Sequence, residues 1–364
     1  MTAFIIAAKR SAVVPRGGAF AALSIEDLGT PVALACLAAA GIALDQVDEI
    51  IVSNALGAGG NPARRLALAM GLPTHVAGLT TDRQCAGGLD ALLLARAMVA
   101  SGHADVVLAG GVESYSRRPL RFMTDPNGGD PVPYDEAPFT PWPDRNPGMA
   151  MAAAALAQSL GISRQRQDDW AVQSHARALA HADVMRAEIV PIRGQVIDPF
   201  TRKLTRAIAA RAKSVAGTIT AANAAVAADG AAFTLVVSAK YAAMAKRRIR
   251  IVGAATLGGQ PDQPGLAPIA AIKRVLSKAG MNPAALVQSE VMEAYAVQAI
   301  ACIEGADLDA DHVNPHGGGL ARGHPIGASG AVLAVRLWHD LHAGFGLATI
   351  AAAGGIGSAL LLEA

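Results

Sequence analysis

Two spacings of apolar residues alternate along the first third of the chain. Ala3–Ala8 is a short apolar run of strand length, and Ile25–Ala40 places its apolar residues at helical spacing as far as Gly41. Glu49–Ser53 repeats the strand signal and leads into a glycine turn, Gly57–Gly60. Pro62–Met70 predicts a helix stopping at Gly71, and Ala86–Ser101 a longer one stopping at Gly102. Asp105–Ala109 has the uniform apolar character of a buried strand, stopped by Gly110-Gly111. Strands alternating with helices in this way predict βαβ units and a mainly parallel sheet, hence an α/β fold.

The middle of the chain breaks this rhythm. Residues 117–148 contain eight prolines, a density that no regular core element survives, so the chain is expected to run over the surface there. Ala150–Leu160 and Arg164–Arg186 then read as helices, and the pattern stays irregular to about Ala222. Strand signals resume at Ala231–Ser238 and Ile249–Thr256. In the last third Pro268–Ala279 is helical, Val287–Val291 strand-like, and Ala328–His342 helical up to Gly344. Ala348–Ala352 follows as a buried strand, stopped by Gly354-Gly355. Small residues, a helix, a strand and a glycine pair thus occur twice in the same order, which predicts a duplicated half. With the glycine pairs aligned, Cys85 falls opposite Ser329.

Composition sharpens this picture. A chain of 364 residues predicts two domains or two packed halves. Hydrophobic residues make up 52% but aromatics only 4%, so the core is built from small aliphatic side chains that let elements approach closely. Charged residues at 16% predict extensive burial, in central layers or against another subunit. The net charge of +2 gives no reason to expect nucleic acid or a membrane surface as partner. No long apolar run marks a membrane span or a signal peptide, and a cytoplasmic location is the default. Three cysteines, Cys36, Cys85 and Cys302, are too few for a disulfide framework and fit a reducing compartment.

The candidate chemistry lies in two loops. Cys85, in Gln84-Cys85-Ala86-Gly87-Gly88, precedes a long helix. The positive end of the helix dipole and its free N–H groups are expected to lower the thiol pKa there. Cys36 and Cys302 sit within apolar helical patterns, where core packing is expected. His324, in Gly323-His324-Pro325-Ile326-Gly327-Ala328-Ser329-Gly330, is held by glycines and a proline just ahead of a helix, a setting that fixes one imidazole as base or oxyanion partner. No His and Cys pair has zinc-like spacing, so no metal is expected.

These motifs resemble those of the thiolases. Asn314-Pro315-His316-Gly317-Gly318 followed by Gly323–Gly330 looks like their C-terminal signature, and Gln84–Gly88 like their nucleophile loop, with Gly87 where a serine is usual. Ala109–Ser114 and Thr218–Asn223 resemble two further family motifs. The resemblance runs from about Ile5 to the C-terminus. It implies a five-layer αβαβα sandwich of two similar halves: residues 1–116 with 224–246, and residues 247–364, with 117–223 as an inserted loop domain. It implies coenzyme A thioesters as substrates with no resident cofactor, Cys85 as acyl-accepting nucleophile, His324 as its activator, and a homodimer or homotetramer. Arg202, Gly354 and Gly355 are expected on its pattern to meet substrate. Two catalytic positions depart from it, as does Ala225-Val226-Ala227-Ala228, where the family has Ser-Gly-Leu-Asn. The family's Asn-Glu-Ala-Phe reads Met292-Glu293-Ala294-Tyr295, and its second catalytic cysteine falls at Ala351. A thioether donates no hydrogen bond and a methyl group moves no proton. Losing an oxyanion donor costs roughly 10²–10³ in rate, and losing a general acid/base roughly 10²–10⁴. Glu293, His316 and Cys302 are the auxiliary candidates. Three functions stay open on the sequence: acyl transfer to a carbanion, acyl transfer to water or a heteroatom, and non-catalytic binding of acyl-CoA.

Overall fold

The computed structural model describes residues 1–57 and 59–364; Ala58, in the predicted Gly57–Gly60 turn, lies outside them. Nine main strands are β1 (Ala3–Arg10), β2 (Glu49–Ser53), β3 (Leu79–Thr81), β4 (Val106–Glu113), β5 (Ala228–Ser238), β6 (Ile249–Gly258), β7 (Leu286–Val291), β8 (Phe345–Ala352) and β9 (Ile356–Glu363). The main helices are α1 (Ile25–Ala40), α2 (Pro62–Met70), α3 (Gly87–Ser101), α4 (Met149–Ser159), α5 (Arg164–Ala180), α6 (Ala267–Ala279), α7 (Ala296–Gly305) and α8 (Ile326–Asp340). Their ends follow local chemistry. Ser24 caps α1 in a capping box with Asp27, and Gly41, Gly71, Gly102 and Gly280 close four helices in the left-handed conformation that favours glycine.

The strands run β7-β8-β9-β6-β1-β5-β4-β2-β3. β1 and β6 meet at only two residue pairs, Phe4 with Arg250 and Ile5 with Ile249, so the sheet is two halves joined at a seam. Helices α3 and α8 lie between the halves and pack on strands of both. One apolar cluster, including Leu89, Leu92, Val107, Leu333, Ile350 and Leu360, fills this central layer. Helices α1 and α2 cover the outer face of one half-sheet, and α6 and α7 that of the other. The result is five layers, α–β–α–β–α. The small side chains forecast from composition are what let two helices fit between two sheets.

Three expectations are corrected. The sheet is mixed, not mainly parallel: only β2 with β4, β2 with β3, and β7 with β8 run parallel. Each half is completed by a returning strand, β5 after the long excursion and β9 after the turn Ala353–Gly355, and such returns pair antiparallel. Gly110-Gly111 does not end a strand, because β4 continues to Glu113. The pair serves close packing instead: a Cβ at Gly110 would lie 2.0 Å from the Ala232 carbonyl oxygen, and one at Gly111 2.2 Å from that of Gly327. The internal repeat is real but its register differs. α3 and α8 are both 15 residues long, β4 and β8 both 8, and the two sets superpose in sequence at the offset of 239 that separates Cys85 from His324. Cys85 therefore matches His324, not Ser329.

Residues 117–223 leave the first half-sheet after β4 and return at β5. Two short strands, Arg121–Met123 and Val132–Tyr134, pair within the proline-rich part, and α4 and α5 follow.

Candidate active site

Helices α3 and α8 touch backbone to backbone near their N-termini. A Cβ on Gly88 would lie 2.7 Å from the Ala331 nitrogen, and one on Gly330 2.4 Å from the Leu89 nitrogen. Each helix is preceded, two residues upstream, by one reactive side chain. The helix contact therefore seats Cys85 Sγ 3.1 Å from His324 Nε2.

Both loops are braced from behind. Cys85 sits on the single turn Gln84–Ala86, where Gln84 has φ 49°, and the Gln84 N–H donates to Asp82. Arg83 pairs with Asp90 at 2.7 Å, and Asp90 accepts from Thr256 and Ser358 of the second half-sheet. The His324 N–H donates to the Val226 carbonyl at 2.8 Å. Its Nδ1 lies 2.6 Å from Ser329 Oγ, which itself donates to the Pro325 carbonyl. A hydroxyl has one proton. With that proton on Pro325, Ser329 accepts from Nδ1–H, and Nε2 is left bare to accept the Cys85 proton. Buried Glu113 accepts from Asn54 Nδ2, Ala55 N, Leu56 N and Gly327 N, tying the start of α8 to the first half-sheet.

The electrostatics overturn one expectation. Burial pushes the Cys85 thiol up to about 12; the Glu113 and Asp82 carboxylates add to this, while the N–H groups of Cys85 and Ala353 act against it. Burial also lowers His324 to about 4. The helix N-terminus does not win against desolvation, and the resting pair is thiol and neutral imidazole.

Cys85 and His324 open into a cavity of about 250 Å³. Its walls include Met149, Ala152, Ala153 and Leu156 of α4, Tyr295 ahead of α7, and Ala351, Ala352 and Ala353 at the end of β8. Ala351 thus stands beside the nucleophile as a methyl group. Met292 is buried in the central layer and does not line the cavity.

The remaining candidates are not brought together with Cys85. Glu293 accepts from Trp170, Ser174, Asn314 and Leu320, a buried structural anchor. His316 lies 2.8 Å from Asp340, next to Arg336, in a separate charged cluster. Cys302 is buried in the outer helical layer, its thiol on the Gly265 carbonyl at 3.1 Å. Arg202 stacks on Phe200, 4.1 Å from the ring centre. Gly354 and Gly355, both at φ 77°, form the β8–β9 turn next to cavity-lining Ala353 without lining the cavity themselves. Sequence reasoning missed Ser329 as the partner of His324, the Ala353 N–H and the Tyr295 phenol. The serine carried a signal, since it lies five residues after the histidine, little more than one helical turn. Among the described residues no group of three His, Cys, Asp or Glu is arranged to hold a metal, and no helix is long and apolar enough to cross a membrane.

The arrangement is a cysteine–histidine pair opening into one cavity of a duplicated five-layer α/β scaffold. The family models for the thiolase N-terminal and C-terminal domains match residues 3–240 and 245–364, and the chain belongs to the thiolase family. It is similar to the acetyl-CoA acetyltransferase of Cupriavidus necator, at 36% identity over 99% of this chain and 98% of that protein. Among solved structures it resembles the Bacillus anthracis acetyl-CoA acetyltransferase, with TM-score 0.92 and 32% identity, covering 100% of this chain and 98% of the other. A thiolase from Ascaris suum in complex with coenzyme A superposes with TM-score 0.93 at 27% identity, covering all of both chains.

Proposed function

We propose that the protein is an acyl-CoA acyltransferase of the thiolase class, using coenzyme A thioesters as substrates rather than a resident cofactor. The 3.1 Å contact between Cys85 Sγ and the bare Nε2 of His324 carries this reading. His324 takes the thiol proton as sulfur attacks the thioester carbonyl. The N–H groups of Cys85 and Ala353 hold the oxyanion. The carbon–sulfur bond to coenzyme A then breaks, and the imidazolium returns its proton to the departing thiolate. The acyl group on Cys85 passes to the carbanion of a second acyl-CoA, a Claisen condensation; in reverse, coenzyme A cleaves a 3-ketoacyl-CoA. The names of the relatives and the coenzyme A complex of a structural neighbour support the substrate class. Ala351 in the cavity wall favours a second reading, in which water or a heteroatom nucleophile takes the acyl group.

The same proposal takes residues 117–223 as an inserted segment, supported by the cavity wall that α4 supplies. It extends to a cytoplasmic homodimer or homotetramer, supported by three unpaired cysteines and by exposed Leu120, Phe122, Met123 and Val132 on one hairpin. The test is intact-protein mass after mixing wild type and Cys85→Ala with acetyl-CoA and longer acyl-CoAs. An acyl adduct on wild type alone is expected. Absence of any adduct despite binding overturns both enzymatic readings in favour of a binding subunit.

A further inference from the structure

Carbon–carbon cleavage needs a proton delivered to carbon as well as the transfer from Cys85 to His324. When sulfur attacks C3 of a 3-ketoacyl-CoA, the C2–C3 bond breaks and its electron pair stays on C2 as an enolate. A donor must protonate C2. Most of the wall around the nucleophile is inert: Ala225, Ala294, Ala351, Ala352 and Ala353 carry only methyl groups. Besides Cys85, His324 and Tyr295, the ionisable side chains of the wall are Tyr115, Arg121, Asp135 and Glu136. Tyr115 is stacked by Arg16 and Arg118, Arg121 donates to the Leu56 carbonyl, Asp135 pairs with Arg118, and Glu136 is exposed.

Tyr295 differs from these. It lines the cavity with Cys85 and His324, and its backbone is pinned on both sides. The Ala225 N–H donates to the Ala294 carbonyl and the Ala296 N–H to that of Asn223, each at 2.9 Å, with a bridge between Ala224 and Tyr295 itself. The ring packs against the cluster of Leu156, Val297 and Ile300, so its direction is set. Its hydroxyl makes no hydrogen bond to another described residue and is open to the cavity. A phenol held in the wall of the cavity that also holds Cys85 can give its proton to a substrate bound there.

We propose that the Tyr295 phenol is the proton donor to the substrate carbon in the carbon–carbon step, a role that rests on the acyl-enzyme reading above. In cleavage, the Cys85 proton passes to His324, the sulfur–C3 bond forms and C2–C3 breaks. The Tyr295 proton goes to C2, releasing acetyl-CoA and leaving the shortened acyl group on Cys85. The imidazolium proton then restores the phenol, so the thiol proton replaces the one spent and no oxidant or further reactant enters. Condensation runs the same steps backwards. Burial, with the Glu136 carboxylate and the Cys85 sulfur nearby, pushes the phenol up to about 12, which keeps it protonated at rest.

The experiment compares wild type with Tyr295→Phe, which removes one oxygen and keeps the ring. Acylation of Cys85 by acetyl-CoA, read by intact mass, is expected to stay within about threefold, which also reports that the variant is folded. Thiolysis kcat for a 3-ketoacyl-CoA is expected to fall by about 10² or more with KM little changed. Deuterium exchange into the acetyl-CoA methyl group in D₂O is expected to fall in parallel. Thiolysis or exchange in Tyr295→Phe within threefold of wild type overturns the assignment, as does a variant that loses acylation equally. Wild type that acylates but neither cleaves nor exchanges also overturns it, while the acyl-enzyme itself stands. Wild type without an adduct overturns the acyl-enzyme reading and this one with it.

Discussion

Replacing Ser329 by alanine removes the one group that fixes the tautomer of His324. The hydroxyl accepts from Nδ1 at 2.6 Å and donates to the Pro325 carbonyl at 3.0 Å. That carbonyl also accepts the N–H groups of Ala328 and Ser329, each at 2.9 Å, so it remains satisfied in the variant. The cost therefore falls on the imidazole. An unpartnered buried N–H costs about 1–3 kcal/mol, and the tautomer with its proton on Nε2 becomes competitive. Such an imidazole cannot take the proton of Cys85. At about 1.4 kcal/mol per tenfold in rate, acylation by acetyl-CoA should slow by about 10- to 100-fold, with a fall of at most a few degrees in melting temperature. The assay is quenched-flow intact mass under single-turnover conditions. Ser114→Ala is the control, since its buried hydroxyl likewise donates to a carbonyl, that of Leu23, away from His324. Acylation of Ser329→Ala within twofold of wild type would refute the tautomer argument.

Two further outcomes follow from the same geometry. Gly330→Ala places a Cβ 2.4 Å from the Leu89 nitrogen and 2.9 Å from its Cβ; overpacking of about 1–3 kcal/mol should lower the melting temperature by several degrees and slow acylation as α3 and α8 part. An unchanged melting temperature would contradict the tight crossing. The neutral thiol–imidazole pair sets the pH behaviour: with Cys85 up at about 12, iodoacetamide alkylation should keep rising through pH 10, and a plateau below pH 8 would reveal a thiolate pair instead. With His324 down at about 4, its base form persists as pH falls from 6.5 toward 4, so acylation should not be halved near pH 6.5.

Much of the fold was legible in spacing alone. Helix α1 and strand β2 lie where apolar periodicity put them, because capping residues and glycines punctuate both. The sheet's directions were not legible, because a uniformly apolar strand looks alike whether its neighbour is parallel or antiparallel. β9, Ile356–Glu363, was missed since nothing distinguishes its apolar run from the strand before it except a three-residue turn. Gly110-Gly111 misled because glycine serves turns and close approach equally, and only the neighbouring Gly327 carbonyl separates the two. Cys85 and His324 stood out because glycines and a proline isolate each at a helix start. The direction of the thiol's pKa was not legible, because it depends on burial, which the sequence around a helix start does not state. Glu293 looked like a spare acid, yet its four donors come from residues as distant in sequence as Trp170 and Leu320.

The duplicated register places the Cys85–His324 pair and the rest of the cavity wall on different structural footings. Cys85 and His324 occupy matching positions of the two halves, and their contact exists because α3 and α8 cross through Gly88 and Gly330. That crossing lies in the central layer on which both half-sheets pack, so the machinery of acylation is inseparable from the fold. Positions 351 and 295 are different in kind. Each presents one side chain to the cavity from a backbone fixed by other contacts: Ala351 by its pairing with Gly357 on β9, Tyr295 by its bridge to Ala224. If Tyr295→Phe keeps acylation and loses thiolysis, the cavity wall that holds Ala351 and Tyr295 carries the second half-reaction separately from the crossing that holds Cys85 and His324.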